Sequence, residues 1–233
     1  MLTASSSHKI LFPLIYELNH LVVRHIHPSW FAGLPFSAEI LALKDYNNSQ
    51  KLLSDTLRKS FQLESEWLMN FDSKISRFVL MDNHELMYLV RYLGMVCVSP
   101  MIKKVISGGS LRVLKSILGE VAFEFVKKTA AFYHPQQLAG LAKVKLKNIE
   151  DEQAVHQSIE TAGIRCLALM VAMESTEFKR RIALKLPKHY ADVLDFVVAE
   201  DQMEKNLEDS LSIYKISRKL THDLSITCRP IFA

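Results

Sequence analysis

Glycine is what this chain has least of: seven in 233 residues, roughly half the ordinary share. That scarcity leaves few sites for hairpin turns or phosphate-cradling loops. No G-x-G-x-x-G, G-x-x-x-x-G-K-[ST] or G-x-S-x-G occurs, so dinucleotide, P-loop and hydrolase-elbow chemistry has no support. Cysteine is nearly as sparse. Cys97, Cys166 and Cys228 are odd in number, far apart and in no C-x-x-C spacing, which argues against a disulfide framework or a zinc site and for a reducing compartment. Long apolar runs are missing too. The longest, Cys166–Met173, is far short of the roughly 20 residues of a membrane span. The N-terminus, MLTASSSHK, lacks the basic-then-apolar order of a signal peptide.

What remains is ordinary globular composition, 49% hydrophobic and 23% charged, with unevenly placed charge. Residues 101–147 carry nine Lys/Arg and two acids, a balance of +7. Residues 148–210 carry thirteen acids and seven bases, a balance of −6. Segregation of this kind steers protein partners. A net charge of +4 is too mild for a dedicated nucleic-acid binder.

Apolar periodicity predicts helices almost throughout. Leu14, Leu18, Leu21 and Val22 share a face before Pro28. The segment HPSWFAGLPFS reads as an irregular packed turn. Asn48–Phe61 and Glu64–Leu80 each read as helices, the first facing Leu52, Leu53 and Leu57 inward, the second carrying Trp67 and Phe71. Asp82 and Glu85 form a capping-box pair ahead of Leu86, Leu89, Val90, Leu93 and Cys97, with Pro100 as the end. Gly108-Gly109-Ser110 starts a short helix, and Gly119 separates it from Glu120–Phe132. Residues 134–152 read as a flexible connection. A long helix follows through Val155, Ile159, Cys166 and Met173, then Phe178–Leu186, Tyr190–Ala199 and Met203–Leu224. With no alternating strands, the fold class is all-α: a single compact domain over 1–233, of about nine to ten helices with short connections.

No catalytic constellation emerges, and no cofactor or metal site is expected. His20, His25 and His27 are not spaced three or four apart with an acidic partner. His84-Glu85 begins H-E-x-x-H, but Tyr88 stands where the second histidine belongs. Ser107–Ser110 suits a helix cap better than an anion site. Lys179, Arg180 and Arg181 form the candidate partner-binding element. A run of three fans across a helix, so at least one member faces outward.

Three stretches together resemble one family. They are LVRYLGMVCVSPMIKKVISGGSLRVLKSILGEVAFEFV (Leu89–Val126), FKRRIALKLP (Phe178–Pro187) and the terminal KLTHDLSITCRPIFA with Cys228 and Phe232. HPSWF (His27–Phe31) is similar to a fourth element of the same family. The family is the K subunit of the type III secretion sorting platform, the YscK/SctK proteins. The second stretch departs from its pattern by carrying Phe178 in place of a tryptophan. The resemblance implies a non-enzymatic adaptor of the bacterial injectisome. Its implied partners are the cytoplasmic domain of the inner-membrane ring D subunit and the Q subunit, a C-ring-like pod protein. Through the Q subunit it would reach the L stalk and the N ATPase. Nucleic acid is not expected as a partner, nor is a membrane span; the implied place is the bacterial cytoplasm, at the inner membrane through the apparatus. Two other classes compete. One is a secretion chaperone or regulator holding a partner helix in a Met-rich groove. The other is a nucleic-acid binder using Lys103, Lys104, Lys127, Lys128, Lys143, Lys145 and Lys147.

Overall fold

The Asp82–Glu85 pair forms a reciprocal capping box. The Asp82 N–H donates to Glu85 Oε2 at 2.8 Å and the Glu85 N–H donates to Asp82 Oδ1 at 2.7 Å, satisfying two donors that a helix start leaves open. From this cap a helix runs over Asn83–Ile102. It passes Pro100, where it was expected to stop. Proline supplies no N–H for the Val96 carbonyl one turn back. The Ser99 hydroxyl donates to that carbonyl instead, at 2.9 Å, and the helix continues.

The computed structural model describes residues 4–63, 68–69, 71, 73–143, 146, 148–194, 203–227 and 231–232. Among these the chain is all-α, with no strand. The α-helices are α1 (Ala4–His20), α2 (Ser37–Leu43), α3 (Asn47–Ser60), α4 (Asn83–Ile102), α5 (Gly108–Leu118), α6 (Glu120–Glu124), α7 (Pro135–Ala142), α8 (Glu152–Met170), α9 (Thr176–Lys185), α10 (Ala191–Leu194) and α11 (Met203–Asp223). Short 3₁₀ turns join several of them, and a π-turn at Phe125–Thr129 continues α6. Gly119, at φ 79°, takes the left-handed bend between α5 and α6 that a side chain would strain.

The chain divides into two compact units. The first comprises Met1–Leu86, Glu174–Ala191 and Thr227–Ala233; the second comprises Met87–Met173 and Asp192–Ile226. In the first unit, Val22, Val23, Ile26, Phe31, Ile40, Leu57, Leu63 and Leu184 form one buried cluster. In the second, the apolar face of α4 is interior at Leu89, Val90, Leu93 and Cys97, and that of α8 at Val155, Ile159 and Cys166. Among the described residues α4 is the one helix long and apolar enough to cross a membrane, and 67% of that stretch is buried within the fold.

Several expectations need correction. Leu52 is 71% exposed, so α3 turns Leu57, and partly Leu53, inward without it. Residues 64–67, including Trp67, lie outside the described residues. Across the described part of 68–80, the expected helix is replaced by one 3₁₀ turn, Ser76–Leu80. The Asn19 carboxamide explains part of this. Its Nδ2 donates to the Leu68 carbonyl at 2.9 Å and its Oδ1 accepts from the Leu68 N–H at 3.2 Å. That satisfies a backbone which periodicity alone assigns to helix. Within 134–152, the expected connection, Pro135–Ala142 is helical. On α11 the buried face holds Ser210, Ile213, Ile216, Ser217, Leu220 and Thr221, whereas Leu207 and Leu211 are exposed. Two of these hydroxyls find carbonyls: Ser210 donates to Met170 at 2.6 Å and Thr221 to Ser217 at 2.8 Å.

Candidate partner-binding site

Helix α9 begins where Ser175 accepts a hydrogen bond from the Phe178 N–H at 3.2 Å, and it ends at Leu186, whose backbone is extended. Successive residues turn by about 100°, so Lys179, Arg180 and Arg181 take three directions. The outcome is uneven. Arg181 is only 4% exposed, whereas Lys179 and Arg180 are half-buried at the surface. Of the three expected partner-binding residues, Arg181 therefore belongs to the interior. Phe178 and Ile182, four apart, anchor the helix inward as expected.

Arg181 is held at several points. Its Nε donates to Glu177 Oε1 at 2.9 Å, one helical turn back, and its Nη1 donates to the Leu18 carbonyl at 2.8 Å. Glu177 is itself buried. The Leu18 carbonyl lies in the last turn of α1, where carbonyls lack helical donors and a cation is favoured. Burial pulls the guanidinium below its usual range, and the Glu177 carboxylate opposes that shift. Arg180 reaches the other way, donating from Nη1 to the Gln62 carbonyl at 2.9 Å.

One turn beyond Arg181, Lys185 is fully buried. Its ammonium donates to the Met81 carbonyl at 2.7 Å and lies 2.8 Å from His25 Nδ1. With Lys185 as an ammonium, which has no lone pair to offer, Nδ1 is the acceptor in this contact. Residues 177, 181 and 185 thus form a polar stripe at i, i+4, i+8, set beside the apolar Phe178 and Ile182.

The C-terminal end of α9 meets the HPSWF segment. The His27 N–H donates to the Leu184 carbonyl at 2.7 Å, and Trp30 Nε1 donates to the Leu186 carbonyl at 2.8 Å. The Ser29 hydroxyl accepts from the Lys188 N–H at 2.9 Å and donates to His27 Nδ1 at 2.8 Å. Burial lowers the His27 pKa, with His189 and Lys44 adding to the effect, and the neutral ring suits an accepting Nδ1. Phe232 packs on Phe78 at 4.7 Å between ring centroids, while Cys228 lies outside the described residues.

The other candidates disperse. His20 stacks on Tyr16 at 4.2 Å, so the three N-terminal histidines have three separate environments. No group of three or more His, Cys, Asp or Glu side chains suited to a metal occurs among the described residues. Glu85 is committed to its cap. Ser107 caps α5 by accepting from the Ser110 N–H at 3.5 Å. Lys103, Lys104, Lys127, Lys128 and Lys143 are exposed. Of these, Lys128 pairs with Glu124 and Lys127 lies over the Phe123 ring; Lys145 and Lys147 lie outside the described residues. Met170 is buried in the core, whereas Met173, to which the long helix was expected to run, lies beyond the end of α8 and is exposed.

The family described as YOP proteins translocation protein K (YscK) matches residues 14–232. The chain belongs to the YscK family. It is a type III secretion protein on that ground. No curated protein and no solved structure matches it. Of the segments that resemble the YscK pattern, HPSWF, FKRRIALKLP and the terminal Phe232 all lie in the first unit; the first two are joined by the contacts just given, and Phe232 packs on Phe78. Two basic residues of the FKRRIALKLP stretch in this YscK chain, Arg181 and Lys185, have structural partners that composition did not reveal. The available signal was the spacing of Glu177, Arg181 and Lys185, four apart on the same face as Phe178 and Ile182.

Proposed function

We propose that this YscK-family chain is a non-enzymatic adaptor of the type III secretion sorting platform, working in the bacterial cytoplasm at the inner-membrane ring. It links the cytoplasmic domain of the ring D subunit to the Q subunit, and through that subunit to the L stalk and N ATPase. The observation that carries the reading is the division of labour on α9. Arg181 and Lys185 fasten the helix to the interior, while Lys179 and Arg180 remain at the surface on a helix that cannot swing away. A cation on a fixed helix offers an acidic partner surface a contact with little further ordering cost.

The test is the double variant Lys179→Glu/Arg180→Glu, with Arg181 left in place. It is expected to keep the wild-type helical circular-dichroism signal while its capture of purified Q subunit, or of the D-subunit cytoplasmic domain, falls by about tenfold. Wild-type capture should weaken as salt rises, because exposed charges are screened over roughly 8–10 Å near physiological ionic strength. A folded double variant that captures both partners at wild-type levels removes this surface from the interface.

A further inference from the structure

Two helices of the second unit touch through backbone rather than side chains. A β-carbon added at Gly94 of α4 would lie 1.9 Å from the Ile159 carbonyl oxygen, and one added at Gly163 of α8 would lie 1.9 Å from the Val90 carbonyl oxygen. Each glycine therefore rests on the carbonyl four residues before the other. Packed helices usually stay 8–10 Å apart, at the closer end where contact residues are small, and this crossing depends on the absence of both β-carbons. Three residues beyond each glycine stands a cysteine. Cys97 Sγ and Cys166 Sγ are 3.4 Å apart, both fully buried and both free thiols. The glycine crossing brings these sulfurs together, and nothing in the proposed adaptor role uses them.

We propose that Cys97 and Cys166 are a modification site: a buried dithiol that hydrogen peroxide converts to an intramolecular disulfide joining α4 to α8. A disulfide needs about 2.05 Å between sulfurs, so the pair must close by roughly 1.4 Å. Two side-chain rotations can supply much of that distance, without a helix having to cross the molecule. The Cys97 thiol is pushed well up, first by its hydrogen bond with Cys166 and then by burial, so reaction at this pair waits on deprotonation of one sulfur, taken as Cys166. Cys166 gives up its proton and attacks one peroxide oxygen. The O–O bond breaks, water leaves, and Cys166 carries a sulfenic acid. Cys97 then loses its proton and attacks that sulfur; the S–O bond breaks and a second water leaves. Two thiols and one peroxide become one disulfide and two waters, with two electrons passing from sulfur to peroxide. Burial makes the first step slow and dependent on local opening, whereas the second is intramolecular and fast.

The experiment uses the full chain carrying Cys228→Ser, so that only this pair can react, and hydrogen peroxide as the probe. Expected results are a loss of two hydrogens in intact mass, a peptide containing Cys97 linked to one containing Cys166, and recovery of both thiols with dithiothreitol. The oxidised form should unfold at a midpoint higher by roughly 5 °C or more. Adding Gly163→Ala, which pushes the helices apart, should reduce the yield of linked peptide several-fold. Where that variant does not fold, Cys97→Ser in the same background supplies the control and should stop at Cys166 sulfenic or sulfinic acid. The proposal is overturned by covalent dimers in place of the internal link. It is equally overturned if both thiols stay unreacted while the same chain, unfolded in urea, is oxidised.

Discussion

The two units reach buried interiors by different means. The first is tied together by polar side chains placed inside: Asn19 on Leu68, Arg181 on Leu18 and Glu177, Lys185 on Met81 and His25, Trp30 on Leu186. Its segments include irregular turns whose backbone groups need partners from elsewhere in the chain. The second unit is built from longer helices that satisfy their own backbones and pack by shape, to the point of backbone contact at Gly94 and Gly163. The difference teaches where each unit is vulnerable. The first depends on having the right donor; the second depends on having nothing in the way.

The sharpest test of that contrast is Arg181→Met. It removes a buried cation and leaves the Glu177 carboxylate and the Leu18 carbonyl without their donor, a loss of about 3–5 kcal/mol for one partner of a buried pair. Urea denaturation followed by Trp30 fluorescence, in a Trp67→Phe background, reports on the first unit. The companion Arg181→Met/Glu177→Gln, which no longer strands a charge, should recover a good part of the loss. If it recovers nothing, packing and not donor supply governs the first unit, and the comparison fails.

Next in size is Gly163→Ala. Overpacking costs about 1–3 kcal/mol, and contact with a backbone carbonyl at 1.9 Å places this substitution at the upper end. The same change at exposed Gly140, whose added β-carbon meets nothing within 4 Å, should be neutral or stabilising, since alanine outranks glycine in a helix by up to about 1 kcal/mol. Equal effects at the two positions would mean that the helix crossing is loose.

The smallest expected effect probes a polar contact in the second unit. The Tyr133 hydroxyl donates to Asp223 Oδ2 at 2.8 Å, and this bond, followed by the one to His222, holds the Asp223 carboxyl below its usual range. Burial, then the neighbouring Asp223, pushes the Tyr133 phenol up. A depressed carboxylate contributes stability above its unfolded pKa of about 4, and that contribution fades as pH falls through the lower folded value. Tyr133→Phe should cost about 1 kcal/mol or less at pH 7, Asp223 being 38% exposed and its bond correspondingly screened. The gap between variant and wild type should narrow below about pH 4. A gap that widens in acid would reverse the assignment.

Much of the second unit was legible in the sequence, because its helices announce themselves by period. Leu89, Val90, Leu93 and Cys97 lie where a 3.6-residue repeat puts them, and the Asp82–Glu85 cap bonds as its spacing implies. The first unit was legible only in part. Periodicity turned residues 68–80 into a helix because it registers apolar side chains and is blind to an asparagine 49 residues upstream that satisfies the backbone. The same blindness affected the basic run. Three adjacent cations read as a surface element, yet the partners that draw Arg181 inside are a carbonyl 163 positions away and a glutamate one turn back. Local spacing held a signal for the glutamate that went unread; nothing local could reveal the carbonyl.

That separation has a consequence during synthesis. The first unit is closed by segments at both ends of the chain, with the second unit's residues translated between them. When the ribosome has made His25 and Trp30, their partners Lys185 and Leu186 are still 160 and 156 residues away. At roughly 5–20 residues per second, the N-terminal apolar segments wait on the order of 10–30 s for the helix that completes them. The inserted residues 87–173 emerge in that interval with helices that satisfy most of their own backbone groups, the Met170 carbonyl waiting for Ser210. Translation order thus lets the helices of residues 87–173 form before the N-terminal segments meet α9, while α11, made later still, completes the second unit; the nascent N-terminus is the stretch most in need of a chaperone until α9 has emerged.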